Sequence, residues 1–440
     1  MKPMQTLCIL LAGLLQATAG AGAPPSASAY HEWSCEPSGA AGGLKLGVTY
    51  TLWIPPGVKT IRGVVVHQHG CGEPACKAGA TAAYDLHWQA LARKWDCALL
   101  GPSYHQREQD DCAWWCDPAQ GSGKTFLRAL AEFAVRTGHP ELEQAPWALW
   151  GHSGGANWAG HMLLTHPQRI VAVWLRSGSP RLIPAPAQGA APGFPPAALA
   201  VPVMCNLGIK EKTDRFASLW ASTFAFLQDF RAQGALVGLA LDPRTSHECG
   251  DSRYLAIPWF DACLAQRLPG QPGAPLRSLS GAGAWLAPLA GGSPQPAPAF
   301  TGDPAQSVWL PNAAVAKAWS EYVQTGATPD PTPPPPPGNV RLSAGGELTW
   351  EAEADFESGL AGFIIERDGT EIARLPEHPA GPFGRPLFQK MSYHDTPEKP
   401  LPAMRFKVPA AAPGATHQYA LRAVNSCGLK STPTQAVPAP

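Results

Sequence analysis

The chain has 440 residues, long enough for two domains, and 45% of them are apolar, enough to fill a sizeable core. Lysine plus arginine equals aspartate plus glutamate at 33 each, so no charge excess points to nucleic acid or to an anionic membrane surface. The 49 prolines and 45 glycines fall unevenly and punctuate the chain.

The N-terminus reads as a secretory signal over residues 1–23. Lys2 precedes "LCILLAGLL", an apolar run too short to span a bilayer, and Ala17 with Ala19, or Ala21 with Ala23, offer cleavage sites. Cys8 lies inside that run rather than after it, and no later segment approaches transmembrane length, so a secreted or periplasmic protein without a membrane anchor is expected. Removing Cys8 from the 11 cysteines leaves ten, an even number suited to an oxidising compartment. Cys71 and Cys76 are close in sequence, as are Cys112 and Cys116. With no C-x-x-C pair, structural disulfides are expected rather than a zinc site.

Residues 30–327 alternate two textures. "GVVVHQHG", "CALLGPSY", "WALWGHS", "IVAVWLRSG", "VPVMCNLG" and "ALVGLALDP" are near-continuous apolar runs, as in parallel strands covered on both faces. Between them lie helical patterns such as "AYDLHWQALARKW" and "KTFLRALAEFAVRTG". The alternation predicts an α/β domain with a largely parallel sheet. "GSGKT" at Gly121–Thr125 imitates a phosphate loop, but Pro118 stands where its first glycine should be and no strand leads into it, so it reads as a helix start. Pro269–Pro304 reads as an irregular excursion, followed by a helix in "NAAVAKAWSEYVQTG" that stops at Gly326.

Five consecutive prolines in residues 328–338 predict a semi-rigid spacer between independently folded parts. Residues 339–437 then carry short alternating runs, "ELTWEAE", "GFIIERDGTEIARL", "MRFKV" and "HQYALRAVN", with the Asp-Gly signal of a tight hairpin. This predicts an all-β sandwich. "PGATHQYALRAVNSCGLKS" resembles the late strands of a fibronectin type III domain, with Tyr419 as its corner tyrosine and Trp350 as its early-strand tryptophan. Nothing in this module looks catalytic.

The chemistry concentrates in "WGHSGG". Gly151, Ser153 and Gly155 fit G-x-S-x-G between a strand and a helix, the setting that exposes a nucleophilic serine on a sharp turn. His247 lies after the last apolar run and before a helix, where a general base belongs in chain order. Glu211 and Asp214 follow the preceding strand and compete for the acid. His69-Gly70-Cys71-Gly72 reads as an H-G-x-G loop whose Cys71 amide, with that of Gly154, could hold an oxyanion. His152 adjoins the serine and reads as structural. Trp114, Trp115 and Trp158 are candidates for stacking on a sugar or aromatic acyl group, or equally for packing.

Taken together, residues Glu32–Gly326 resemble the α/β-hydrolase superfamily, and within it the secreted carbohydrate-ester and polyhydroxyalkanoate-type esterases. In hydrolases of that class the acid falls three residues after a strand-closing glycine, which favours Glu211 after Gly208. The "SHECG" context of the histidine departs from both groups. The resemblance implies a serine esterase that needs no metal or organic cofactor and acts on a carbohydrate or polyester ester. A serine peptidase of the same fold and a non-catalytic binding protein are the alternatives. A disulfide between Cys205 and Cys249 is also expected, because the loops bearing Glu211 and His247 must meet.

Overall fold

The apolar runs become strands because side chains on both faces find cover. A computed structural model describes residues 29–181, 194–279, 281–289, 291–410 and 415–438, so the signal segment and Cys8 lie outside the described residues. Eight strands form one sheet: β1 (Tyr30–Cys35), β2 (Val48–Trp53), β3 (Gly63–Gln68), β4 (Cys97–Tyr104), β5 (Trp147–His152), β6 (Ile170–Arg176), β7 (Val203–Gly208) and β8 (Val237–Asp242). Their order is β1-β2-β4-β3-β5-β6-β7-β8. From β3 to β8 neighbours pair in parallel, and β1 and β2 add an antiparallel edge. The sheet is thus largely parallel, as the alternation of strands and helices predicts. Every residue of β3 to β7 is buried.

The connections run one way from β3 to β4 and the other way from β5 onward, so the order reverses between β3 and β5. A crevice opens at the carboxyl ends of strands where the order reverses. The H-G-x-G loop leaves β3 there and the serine turn leaves β5. Helices cover both faces, and their ends follow the sequence. Asp85 caps Leu86–Lys94 by accepting from the amides of His87 (2.9 Å) and Trp88 (3.2 Å). Gly326, at φ 69°, stops Ala313–Thr325. The stretch Pro269–Pro304 is less irregular than expected. Trp285–Pro288 and Gln295–Pro296 join Ser307–Leu310 in a small three-stranded sheet. No helix among the described residues is long and apolar enough to cross a membrane.

The C-terminal residues form two four-stranded sheets closing on Val340, Leu348, Trp350, Phe363, Ile365, Tyr419 and Leu421. Asp368 and Gly369 both take positive φ (52° and 79°), as a two-residue hairpin turn requires.

The proline-rich segment does not act as a free spacer. Thr328 donates to the carbonyl of Tyr254 (3.1 Å), and buried Asp330 accepts from Ser358 (2.7 Å) and Asn425 (3.0 Å). A long excursion of the sandwich, residues 376–404, lies against the helices of the large sheet. Gln389 accepts from the Leu86 amide (2.9 Å), and Arg253 donates to Asp85 Oδ2 (2.6 Å) and Asp395 Oδ1 (2.7 Å). All three ionised residues are almost fully buried. The two parts are therefore one packed unit, because polar groups buried from both sides must satisfy each other.

Removing one member of such a network leaves uncompensated buried charge. Arg253→Ala is expected to destabilise the protein by about 3–5 kcal/mol in urea unfolding, since Asp85 and Asp395 would then face each other unpaired. A loss within ~0.5 kcal/mol would show that the network is not a structural tie.

Candidate active site

β5 ends at His152 and a helix begins at Gly154. Ser153 between them has φ 55° and ψ −116°, a left-handed-side conformation that costs a non-glycine residue energy and marks a turn held by its surroundings. The close approach explains the flanking glycines. A Cβ on Gly151 would lie 2.3 Å from the Gly155 carbonyl oxygen, and one on Gly155 would lie 2.4 Å from that of His69. The Ser153 amide donates to the Arg176 carbonyl (2.8 Å). Its Oγ has no hydrogen-bond partner among the described residues, as is common before substrate tightens a site.

Glu211, three residues past β7, is fully buried and its Oε1 accepts from His247 Nδ1 at 2.6 Å. Its Oε2 accepts from the Gly208 amide (3.1 Å). Asp214 is instead engaged by the Ser246 hydroxyl and the Phe216 amide, so Glu211 is the carboxylate on the imidazole. Phe216 stacks on the His247 ring at 3.9 Å and 10°. Beneath them Arg176, at the end of β6 and fully buried, donates to Asn206, to Thr245 and to the carbonyls of Ser246 and Glu248. It thereby ties the histidine loop to the sheet. Burial lowers its pKa, but the acidic groups around it, Glu211 foremost, outweigh this and the net shift is upward, so the guanidinium stays charged.

Opposite, the Cys71 amide takes no hydrogen-bond partner among the described residues, and the Gly154 amide belongs to the unbonded first turn of its helix. Both are available to a developing oxyanion. Cys71 is joined to Cys112, with Cα atoms 5.6 Å apart. A Cβ on Gly154 would fall 2.1 Å from Cys71 Sγ and 3.0 Å from Cys112 Sγ. The disulfide therefore fills the space beside the second amide donor and buttresses the loop.

The other cysteine expectations need correction. Cys76 and Cys116 do not pair with their near neighbours, and Cys205 and Cys249 are both free buried thiols. Cys205 does not close its strand, which continues to Gly208. Three further residues at about 3.3 Å each set it roughly 10 Å below the rim that carries Cys249. The tryptophans also divide. Trp115 and Trp158 are fully buried, Trp115 stacked on Tyr104 and Trp158 edge-on to Phe126, so neither can meet a substrate. Trp114 is half-buried beneath the Lys45 ammonium.

No family model and no curated protein matches this chain. Solved structures do. It is similar to a cold-adapted esterase from an Arctic intertidal metagenomic library (16% identity, 55% of this chain and 95% of that one, TM-score 0.35). It is likewise similar to an S-formylglutathione hydrolase from Agrobacterium tumefaciens (17%, 55% and 95%, TM-score 0.33) and a dienelactone hydrolase from Anabaena variabilis (17%, 50% and 89%, TM-score 0.32). At these scores, what the site can do rests on the chain's own geometry.

Residues of the sandwich also reach this site, which the sequence did not reveal. Tyr393 accepts from the Cys249 amide (3.3 Å), and His394 lies 3.0 Å from His152, Nδ1 to Nδ1. His152 is fully buried and its Nε2 bonds the His247 carbonyl (2.8 Å). His394 is 242 positions from His152, so no local signal could have joined them.

Two predictions follow from this geometry. Glu211→Gln should lower kcat at least 100-fold and Asp214→Asn less than 5-fold, since only Glu211 touches the imidazole; the reverse ranking in steady-state kinetics would refute it. The second concerns acid stability. Burial holds His69 at about 3 and His87 at about 4, both below the ordinary histidine value. The folded state thus excludes protons that the unfolded chain binds, so their contribution is whole above pH ~6.5 and is lost as pH falls toward 4. Asp355, raised to about 6 by burial, opposes this between pH ~4 and 6. Because the histidines outnumber it, the urea midpoint should be lower at pH 5 than at pH 7.5; a higher one contradicts the balance.

Proposed function

We propose that this protein is a secreted serine hydrolase that cleaves carboxylic esters through an acyl-enzyme. Two observations support this reading: Ser153 stands on a turn at φ 55°, and Glu211 holds His247 Nδ1 at 2.6 Å, each just past the carboxyl end of a strand of one sheet. Ser153 Oγ attacks the ester carbonyl while His247 Nε2 accepts its proton, and Glu211 holds the Nδ1–H tautomer and stabilises the imidazolium. The amides of Gly154 and Cys71 hold the tetrahedral oxyanion. Collapse breaks the ester bond, and His247 returns the proton to the departing alcohol. Water, deprotonated by the same imidazole, then attacks the acyl-enzyme and frees Ser153.

The substrate class is an acyl ester of a carbohydrate or a polyester, in keeping with the sequence resemblance to secreted esterases that carry a fibronectin type III module. A panel of p-nitrophenyl acyl esters, acetylated and feruloylated sugars and polyester film tests the reading. Ser153→Ala should remove at least 1000-fold of kcat on every substrate the wild type cleaves, with an unchanged fold by circular dichroism. Undiminished turnover by the purified variant would end the serine-hydrolase reading.

A further inference from the structure

The excursion of the sandwich delivers one side chain, His394, to the border of the reacting groups. A Cβ built on Gly70 would lie 3.2 Å from Ser153 Cβ and 3.4 Å from His394 Nδ1, so the Nδ1 edge of the ring lies beside the loop that carries the Cys71 amide and leads to the serine. The turn that presents it is clamped. Ser392 donates its amide to the Thr396 carbonyl (2.7 Å), and Asp395 sits at φ 61°. The Asp395 carboxylate is fixed by Arg253 (2.7 Å) and by the Trp88 indole (3.4 Å). The Pro397 carbonyl accepts from Thr81. These hydrogen bonds restrain the turn that carries His394.

The proton positions around it follow from what each atom can do. The His247 carbonyl can only accept, so His152 must carry its proton on Nε2. His152 is neutral, because burial and the neighbouring imidazoles push its pKa well down, so its Nδ1 is a lone pair. The 3.0 Å contact then requires His394 Nδ1 to donate. Burial, then the proximity of His247 and His67, lowers His394 to about 4, so this ring is neutral as well. Its remaining nitrogen, Nε2, is therefore an acceptor. That atom has no hydrogen-bond partner among the described residues and is not one of the sealed, orphaned buried atoms.

We propose that His394 is a substrate-positioning residue whose Nε2 accepts a hydrogen bond from a hydroxyl carried near the scissile ester, making hydroxyl-bearing esters the preferred substrates. This rests on the ester-hydrolase reading above. A site holding a fixed acceptor rejects the analogue without the donor, since the acceptor then goes unpaired. The hydroxyl can reside on the acyl or the alcohol side, and two matched pairs separate these sources. p-Nitrophenyl 3-hydroxybutyrate against p-nitrophenyl butyrate probes the acyl side. Glycerol monoacetate against propyl acetate probes the alcohol side.

In one arm the full-length wild type should favour the hydroxylated ester by about 10–100-fold in kcat/KM. His394→Leu should collapse that ratio toward unity, while His394→Gln, whose amide oxygen can stand near the Nε2 position, should restore part of it. The ratio is the readout, so a variant that merely weakens the site cannot imitate the result. No wild-type preference in either arm, or an equal proportional loss on both members of a pair, overturns the proposal. If Ser153→Ala hydrolyses the plain esters as well as wild type does, the underlying esterase reading has failed instead. Ser153-dependent hydrolysis without hydroxyl preference sinks the role of His394 alone.

Discussion

Arg253 sits almost completely buried between two carboxylates, Asp85 from the α/β domain and Asp395 from the sandwich. Much of the remaining architecture depends on that arrangement. A buried guanidinium is costly to desolvate, and only near-complete hydrogen bonding offsets the cost. Here Nη1 and Nη2 take Asp85 bidentately, Nε takes Asp395 Oδ1, and Nη2 also reaches the Asp395 carbonyl (3.0 Å). Each carboxylate has a second duty. Asp85 caps the helix Leu86–Lys94, and Asp395 sets the turn that presents His394. Helix start, domain contact and active-site wall therefore share one charge cluster.

The site beyond it is crowded with imidazoles, and electrostatics limits how many can be charged. His69, His152 and His394 are all held below the ordinary histidine value, chiefly by burial and further by neighbouring imidazoles, His67 and His247 among them. In a water-poor volume a second imidazolium would repel the first. Two of the imidazoles have a carboxylate beside them: His247 has Glu211 at 2.6 Å and His67 has Asp395 at 3.6 Å. Neutral neighbours also fix tautomers, and a fixed tautomer is a directional hydrogen-bond group. The same burial makes the cluster acid-sensitive and fixes the direction of its hydrogen bonds.

Two further elements stiffen the reacting geometry from opposite sides. Arg176 binds the histidine loop to the sheet from below, through carbonyls of Ser246 and Glu248. The Cys71–Cys112 disulfide packs against Gly154 and leaves no room for a side chain there. Small displacements of reacting groups carry large rate penalties, so supports of this kind matter as much as the groups they hold.

The sequence determined the strands, a few helix ends and the serine turn, because each depends on local physics. Unbroken apolar runs bury on two faces, Asp85 and Asn312 cap the helices that follow them, and Gly151 and Gly155 allow the close approach at Ser153. The preference for Glu211 over Asp214 came from spacing after Gly208, and only the fold brought Glu211 to the imidazole. Other features left no local trace. The pairing of Cys71 with Cys112, the burial of Trp115 and Trp158, and the free thiol at Cys205 depend on depth and direction across the sheet. The role of the sandwich was the least legible. A run of prolines specifies an extended backbone but not what that backbone packs against, and "MSYHDTP" has no pattern that points to a catalytic crevice. Tertiary structure decided that part, because burying Arg253 required a second carboxylate and the one available stands 142 residues away in the chain.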